Sequence, residues 1–501
     1  MTLNKLLNGL EYEIIQGNTD INIKDVIYDS RKVSFGCAFI ALKGFNVDGH
    51  KFISDAITKG ATALIVEENI SAPENVTIVK VPNTRIALAN MSAEYFEHPA
   101  NSLTTIAITG TKGKTTTVAM IRSILETAGI KTGTIGTLGI LIGNQIYKTN
   151  NTTPESYEIQ EAMKRMVSEG CKAMVIEASS LGLKWHRTDG VVYDYGIFTN
   201  FSNDHIGDAE HKDIDEYLYC KSLLFKQCKL GLINIDDDKA NYFIENATCK
   251  TETYGFNENA DLIGKNDSLI AKPSYIGVHF ETEGLENLSI NVPIPGRFSV
   301  YNALAAIAVT RHFDISKEDI IKGLNSVQVK GRVEAVPVPG NYTILIDYAH
   351  NAVSMDNVLS TLKEYHPNRL ITLFGAGGNR PKDRRFQMGE VSGKLSDLSV
   401  ITEDNSRFED VNDIIADIEV GIKKTDGKYV TIPNRYDAIK YCIENAKDGD
   451  IIVLAGKGHE DYQEIKGIKY HMDEREIIHD ILNPKIDRDT EKDINNSTSK
   501  N

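Results

Sequence analysis

Residues 106–117 read Ile-Ala-Ile-Thr-Gly-Thr-Lys-Gly-Lys-Thr-Thr-Thr, residue types suited to phosphate chemistry. Gly110 and Gly113 let backbone N–H groups approach an anion with no Cβ in the way. Lys114 adds a cation for the outer phosphates of a nucleotide, and Thr115 or Thr116 offers a hydroxyl to Mg²⁺. An apolar run, Leu103 to Ile108, leads into the loop, and a helix-like segment opens at Thr115. Strand, glycine loop, helix is the layout that aims amides at a phosphate. Only two residues separate Gly110 from Gly113, fewer than in the usual Walker A loop. The stretch is read as a nucleotide triphosphate site.

Further candidates sit where predicted strands end. Glu177 closes the apolar run in Met174-Val-Ile-Glu-Ala-Ser-Ser180. A carboxylate there is costly unless it meets a cation, so it is either an Mg²⁺ ligand or a helix-capping or salt-bridged group. Asp204 and His205 follow the strand in Phe198-Thr-Asn-Phe-Ser-Asn-Asp-His205, where the imidazole is a candidate ligand. Asp347-Tyr-Ala-His-Asn351 would hydrogen-bond a ribose, line a cleft or cap a turn. The glycine loop from Phe374 to Arg385 is followed by cations and would bind an anion or stay solvated. Asp404-Asn-Ser-Arg407 and Gly456-Lys-Gly-His-Glu460 each follow a strand directly.

The elements that must position these groups fall into three α/β regions, as a chain of 501 residues allows. Residues 1–98 mix short apolar runs, such as Cys37 to Leu42 and Ala63 to Val66, with polar turns. Pro99-Ala-Asn-Ser102 marks a boundary. Residues 99–330 alternate apolar strands with helical patterns, which predicts a mainly parallel sheet; residues 250–295 are more β-rich. Residues 331–485 form a third, Rossmann-like unit whose strands run into polar or glycine-rich loops, where open α/β sheets bind ligands. Residues 486–501 are polar and lack apolar periodicity, so a disordered tail is expected.

Lys and Arg total 55 against 70 Asp and Glu, a net charge of −15 that lacks the basic footprint of a nucleic-acid binder. No apolar stretch is long enough to span a membrane, and the start lacks the features of a signal peptide. The six scattered cysteines contain no C-x-x-C pair, which fits free thiols in a reducing cytoplasm.

Taken together, Gly110 to Thr117, Glu177-Ala-Ser-Ser180, Asn203-Asp-His205, Asp347 to Asn351 and Ala455-Gly-Lys-Gly-His-Glu-Asp-Tyr-Gln463 resemble the Mur ligase family. These are ATP-dependent enzymes that join amino acids to nucleotide-linked cell-wall precursors. The resemblance spans about residues 20–480, and with Asp29-Ser-Arg31 and Thr152-Thr-Pro154 it is nearest the members that add the third peptide residue. It implies a uridine-binding N-terminal domain, a P-loop ATPase-like central domain and an amino-acid-binding C-terminal domain.

It also implies roles. ATP would meet Gly110, Thr111, Lys112, Gly113, Lys114, Thr115 and Thr116, with Asn302, Arg332 and Asp347. Ser30, near the Gly49-His50 region, would face the uridine nucleotide, and Asn151, Thr152, Thr153, Ser179 and Arg187 the muramoyl dipeptide. Thr115, Glu177, His205 and Lys221 would place Mg²⁺, Lys221 as a carbamate; by residue type alone Lys221 would lie on the surface. Lys114, Lys221 and His205 would be the catalytic set. The implied partners are small molecules (ATP, a UDP-linked dipeptide and a diamino acid), the implied location the cytoplasm, and a monomer is expected.

Arg380, Asp404, Asn405, Arg407, Gly456 and Glu460 match positions that family members use for meso-diaminopimelate. Arg407 discriminates: its guanidinium can pair with the distal carboxylate of diaminopimelate, which lysine lacks. Diaminopimelate is therefore expected over lysine. Ser406 replaces a usual proline and, lacking its φ restraint, is expected to loosen the loop. Leu181, Trp185, Ala352 and Asn379 also depart from the family pattern. A folylpolyglutamate-synthase-like ligase and a non-catalytic nucleotide-binding regulator are the rival readings. The uridine-binding unit argues against the first, and intact Lys114, Glu177, His205 and Lys221 against the second.

Overall fold

The computed structural model describes residues 1–44, 47–202, 207, 210–272 and 275–483. Among the described residues there are three sheets, of five strands near the N-terminus, eleven in the middle and six towards the C-terminus, with a separate two-stranded hairpin. The expected α/β class with mainly parallel sheets is what the chain adopts.

In the central sheet, Thr104–Thr109 lies between Ala173–Glu177 and Tyr193–Phe198, all parallel. Ile106, Ala107, Ile108, Val175 and Ile176 are buried, as expected for strands covered on both faces. The register pairs Ile108 with Glu177 on one side and Thr109 with Phe198 on the other. One edge therefore collects the glycine loop, Glu177 and the residues after Phe198. The helix Lys114–Thr127 follows the loop directly, starting one residue before the sequence pattern placed it. An apolar helix runs from Phe298 to Thr310.

The chain divides into two compact units. The first holds residues 1–267, 280–292 and 297–327, and so contains the N-terminal sheet together with most of the central one. Side chains cross between those two sheets: Tyr157 donates to Asp25 at 2.9 Å, Lys164 to Glu97 at 2.6 Å and Arg85 to Glu155 at 3.1 Å.

The second unit holds residues 328–483 of the described chain with segments 268–279 and 293–296. Its sheet runs Glu334–Val336, Thr343–Asp347, Asp450–Ala455, Arg369–Phe374, Leu398–Ile401, Tyr429–Thr431 in spatial order. Only the first pairing is antiparallel. Asp347 pairs with Ala455, which brings the Asp347 and Gly456 turns side by side.

Beneath those turns, Arg435 is 1% exposed and forms a buried ion pair with Glu474 at 2.7 Å. It also donates to the carbonyls of Glu403 and Ala455, both at 3.0 Å. Deleting one partner of such a pair strands a buried charge. Arg435→Met is expected to lower the unfolding free energy by about 3–5 kcal/mol, read as a fall in the urea midpoint; an unchanged midpoint would show that the pair contributes nothing.

Candidate active site

The phosphate loop is built from strained glycines and side-chain props. Gly110 has φ +146°, and a Cβ there would lie 1.9 Å from Thr199 Oγ1. Gly113 has φ +85°, and its Cβ would lie 2.4 Å from Asn302 Oδ1. No other residue fits either position. Asn200 clamps the loop: its carbonyl accepts from Thr111 N at 2.8 Å and its side chain exchanges bonds with Lys112 N and O at 2.9 and 3.0 Å. The helix then opens at Lys114, so its first-turn amides stand at the loop mouth, outside the helix's own ladder.

Two lysines converge on one atom. Lys114 Nζ and Lys221 Nζ each donate to the Gly110 carbonyl at 2.8 Å. Lys221 sits in the helix Ile214–Ser222, 1% exposed, with its ammonium 4.4 Å from the centre of the Tyr217 ring. Residue type alone assigns Lys221 to the surface; the fold buries it because that helix packs Tyr217, Cys220 and Lys221 inward beneath the glycine loop. Asn302 also meets the loop, accepting from Thr117 Oγ1 at 3.4 Å.

Glu177 is buried, and neither alternative reading of it holds: it caps no helix and has no cation partner among the described residues. Thr115 Oγ1 donates to it at 3.0 Å and Thr137 N at 2.9 Å. A buried carboxylate held by a hydroxyl and an amide suits a divalent cation, and Thr115 and Glu177 are the expected pair. Among the described residues no three His, Cys, Asp or Glu side chains gather as a metal cluster. The expected His205, with Asn203 and Asp204, lies outside the described residues.

Around Glu177 the fold assembles the group assigned to the muramoyl dipeptide. Thr153 Oγ1 bonds the Glu177 carbonyl at 2.8 Å and Ser179 Oγ at 2.9 Å, while Ser179 caps the helix Ser180–Lys184. Thr152 and Thr137 hydroxyls meet at 3.3 Å, and Arg187 donates to the Thr153 carbonyl at 3.2 Å. Arg187 and Arg85 both pair with Glu155. Trp185, a departure from the family pattern, lies under the Arg85 guanidinium at 4.8 Å. Asn151 lines a cleft of about 360 Å³ shared with Tyr28, Lys32, Glu155, Glu158 and Arg165. Ser30 stands apart from this set; its carbonyl accepts from Lys59 at 2.9 Å.

In the second unit, Asp347 is buried and accepts from Val333 N and Ala349 N, both at 2.8 Å; burial raises its pKa against the pull of Arg332. Arg332 lies over the Tyr348 ring at 5.0 Å, so the two residues assigned to ATP occur together. Asn351 caps the helix Ala352–Lys363, so part of this motif is also a capped turn; Ala352 holds the first helical position without the usual proline.

The amino-acid cluster turns on Lys457, which is fully buried. Its ammonium donates to Asn405 Oδ1 at 2.6 Å and the Tyr462 carbonyl at 2.9 Å, and stands 3.3 Å from Asp404 and 3.6 Å from Glu460. Asn405 Nδ2 reaches Glu460 at 3.0 Å. Burial works against ionised Asp404, but Lys457 and Arg435 outweigh it and hold the carboxyl below its usual range. Gly456, at φ +111°, leaves the space that a Cβ would take 2.7 Å from Asp404 Oδ2.

Arg407 donates to the Gly378 carbonyl at 2.7 Å and to Glu464 at 3.3 Å. Arg380 is exposed nearby, 3.9 Å from the Cβ position of Gly377. The loop does not depend on a proline for restraint: Arg407 N donates to the Glu464 carbonyl at 3.0 Å and Lys466 N to the Arg407 carbonyl at 2.6 Å. Asn379, another departure, adopts φ +54° and accepts from Phe408 N at 3.2 Å.

Lys457 and Glu464 were not among the expected site residues. Lys457 lies inside the Gly456-Lys-Gly-His-Glu460 motif, where a lysine between glycines at a strand end is the available signal. Glu464 belongs to a hairpin strand, Tyr462–Ile465, with no such signal.

Along its length the chain is similar to known proteins. Residues 22–96 match the Mur ligase family catalytic domain, 108–310 the Mur ligase middle domain and 331–458 the Mur ligase glutamate ligase domain. A UDP-N-acetylmuramoyl-L-alanyl-D-glutamate–2,6-diaminopimelate ligase of Clostridium perfringens is 42% identical over 492 residues, covering 97% of this chain and 100% of its own. The protein of the same name from Caldanaerobacter subterraneus is 43% identical over 484 residues, covering 96% and 99%. A solved structure of a ligase with that name aligns at TM-score 0.72 and 27% identity, over 96% of this chain and 98% of its own. With its three α/β domains and its glycine loop, the chain belongs to the Mur ligase family.

Proposed function

We propose that this chain is an ATP-dependent ligase of peptidoglycan synthesis that adds meso-2,6-diaminopimelate to UDP-N-acetylmuramoyl-L-Ala-D-Glu. The observation that carries the reading is Arg407 in its cluster. Two of its five N–H groups are used by Gly378 and Glu464, which leaves three, enough for a bidentate carboxylate. Asp404 and Glu460 supply the carboxylate acceptors that an ammonium needs next to that carboxylate. Lysine would offer the ammonium alone and leave the three remaining N–H groups of the guanidinium without a ligand carboxylate.

The reaction follows from the parts. The glycine loop and Lys114 hold the outer phosphates of ATP, and the γ-phosphoryl group passes to the carboxylate of the bound D-Glu to give an acyl phosphate. The amine of the incoming diamino acid attacks the acyl carbon, and phosphate leaves from a tetrahedral intermediate. Thr153, Ser179 and Arg187 would orient the dipeptide, so most of the rate comes from positioning and from charge placed in advance. Thr115, Glu177 and a carbamylated Lys221 would hold Mg²⁺, which when bound offsets charge gathered between phosphate and carboxylate.

Two ammonium groups on one carbonyl support the carbamate reading. Converting Lys221 to an anion replaces a like-charge contact with an opposite-charge one beside Lys114.

Purified enzyme supplied with ATP and the UDP-linked dipeptide is expected to release ADP with diaminopimelate, at a kcat/KM roughly 100-fold or more above that with lysine. Faster turnover with lysine would overturn the assignment. Lys221→Ala should lower kcat by about 100-fold or more while leaving the fold intact, and intact mass of the Lys221 peptide under CO₂ should carry one added CO₂. An unchanged rate would remove Lys221 from the mechanism.

A further inference from the structure

On the strand that precedes the site and the one beside it, Gly196 and Gly231 are register partners. Two glycines facing each other open a notch on the sheet, which the Phe225 ring and two cysteines fill. A Cβ on Gly196 would lie 2.7 Å from Cys228 Sγ, and one on Gly231 would lie 2.7 Å from the Phe225 ring and 3.4 Å from Cys249 Sγ. The two sulfurs are 3.5 Å apart. Cys228 begins the strand Cys228–Asn234, and Cys249 directly precedes Lys250–Gly255. Leu230 pairs with Lys250, so the cysteines sit diagonally at the end of the ladder, where the chain can still adjust. Nothing in the ligase reaction uses either thiol.

We propose that Cys228 and Cys249 form a dithiol site that a peroxide oxidises to an intrachain disulfide. The sulfurs need to close by about 1.5 Å to reach bonding distance. Cys249 is half-buried, whereas Cys37, Cys171, Cys220, Cys228 and Cys442 are buried, so the oxidant meets Cys249 first. The hydrogen bond shared by the two thiols favours the thiolate at Cys249 and disfavours it at the more buried Cys228.

The Cys249 thiolate attacks one peroxide oxygen; the O–O bond breaks, hydroxide leaves and the sulfur becomes a sulfenic acid. Cys228 then attacks that sulfur, the S–S bond forms, the S–O bond breaks, and the oxygen departs as water with the Cys228 proton. In balance, two thiols lose two electrons and two protons, and hydrogen peroxide becomes two waters.

The bond would close at the far end of the segment that carries Lys221. Phe225 lies between them, and its carbonyl already accepts from Thr248 N at 3.1 Å.

The test treats the full-length folded protein with hydrogen peroxide, alkylates the remaining thiols and maps peptides without reductant. The expected result is a Cys228–Cys249 linked pair, two hydrogens lighter than the separate peptides, in most molecules and lost on adding dithiothreitol, with the other cysteines alkylated. Cys249→Ser should abolish the link and leave Cys228 unoxidised. Cys228→Ser should leave Cys249 to accumulate as sulfenic acid, trapped by a cyclic 1,3-diketone. Alkylation of both cysteines after peroxide, a link joining any other pair, or no diketone adduct in Cys228→Ser would each overturn the proposal.

Discussion

The carbonyl of Gly110 receives two ammonium groups, from Lys114 and Lys221, and the site depends on that meeting. Two like charges bound to a single oxygen, one of them almost fully buried, are the contact that carbamylation of Lys221 would relieve, leaving Lys114 as the cation at the mouth of the glycine loop. The arrangement persists because the backbone cannot relax away from it. Gly110 is fixed at positive φ against Thr199, and Asn200 ties the loop on both sides. On the proposed reading, anionic phosphates would be met by charge already in place, and little reorganisation would remain for the moment of transfer.

The parallel register extends this constraint to the neighbouring strands. Because Thr104–Thr109 and Ala173–Glu177 run the same way and pair Ile108 with Glu177, the strand that ends in the loop also delivers Glu177 to Thr115. Thr153 and Ser179 then hang on the backbone just beyond Glu177. In the second unit the same rule collects Asp347, Gly456 and Asp404 at strand ends, but the central charge is Lys457. The first unit sets the Lys114 ammonium at its glycine loop; the second encloses the Lys457 ammonium among carboxylates and an amide, where the low local dielectric strengthens each paired contact.

The sheets and the phosphate loop were legible because they rest on local signals: apolar runs, punctuating glycines and the spacing of Lys114 after Gly113. Groups whose role arises from packing were not. Lys221 reads as a surface residue because burial of an ammonium depends on Tyr217 and a carbonyl more than a hundred residues away in sequence. Glu464 has no local mark, since it reaches Arg407 only through a hairpin whose short, polar strands, Tyr462–Ile465 and Ile468–His471, lack apolar alternation. The scattered cysteines carry no local signal of pairing, and Cys228 and Cys249 meet only because parallel strands from separate crossovers are neighbours.

The loop at Ser406 shows why a residue-by-residue comparison can misjudge restraint. A proline there would fix its own φ, and its absence suggests a looser turn. Here the next residue carries the strain instead. Arg407 adopts φ +52°, an uncommon state for a side chain of this size, and such a state persists only where the surroundings over-determine it. They do so on three sides. Glu464 and Lys466 grip the Arg407 backbone, the Ser406 carbonyl accepts from Glu409 N at 3.0 Å, and the Ser406 carbonyl would lie 1.9 Å from any Cβ on Gly378. The strain aims the guanidinium at Gly378 and Glu464, so its direction is set by the hairpin and the glycine loop together. Specificity for a distal carboxylate would then rest on those neighbours as much as on Arg407 itself, and a substitution at Glu464 or Gly378 would redirect the guanidinium without touching it.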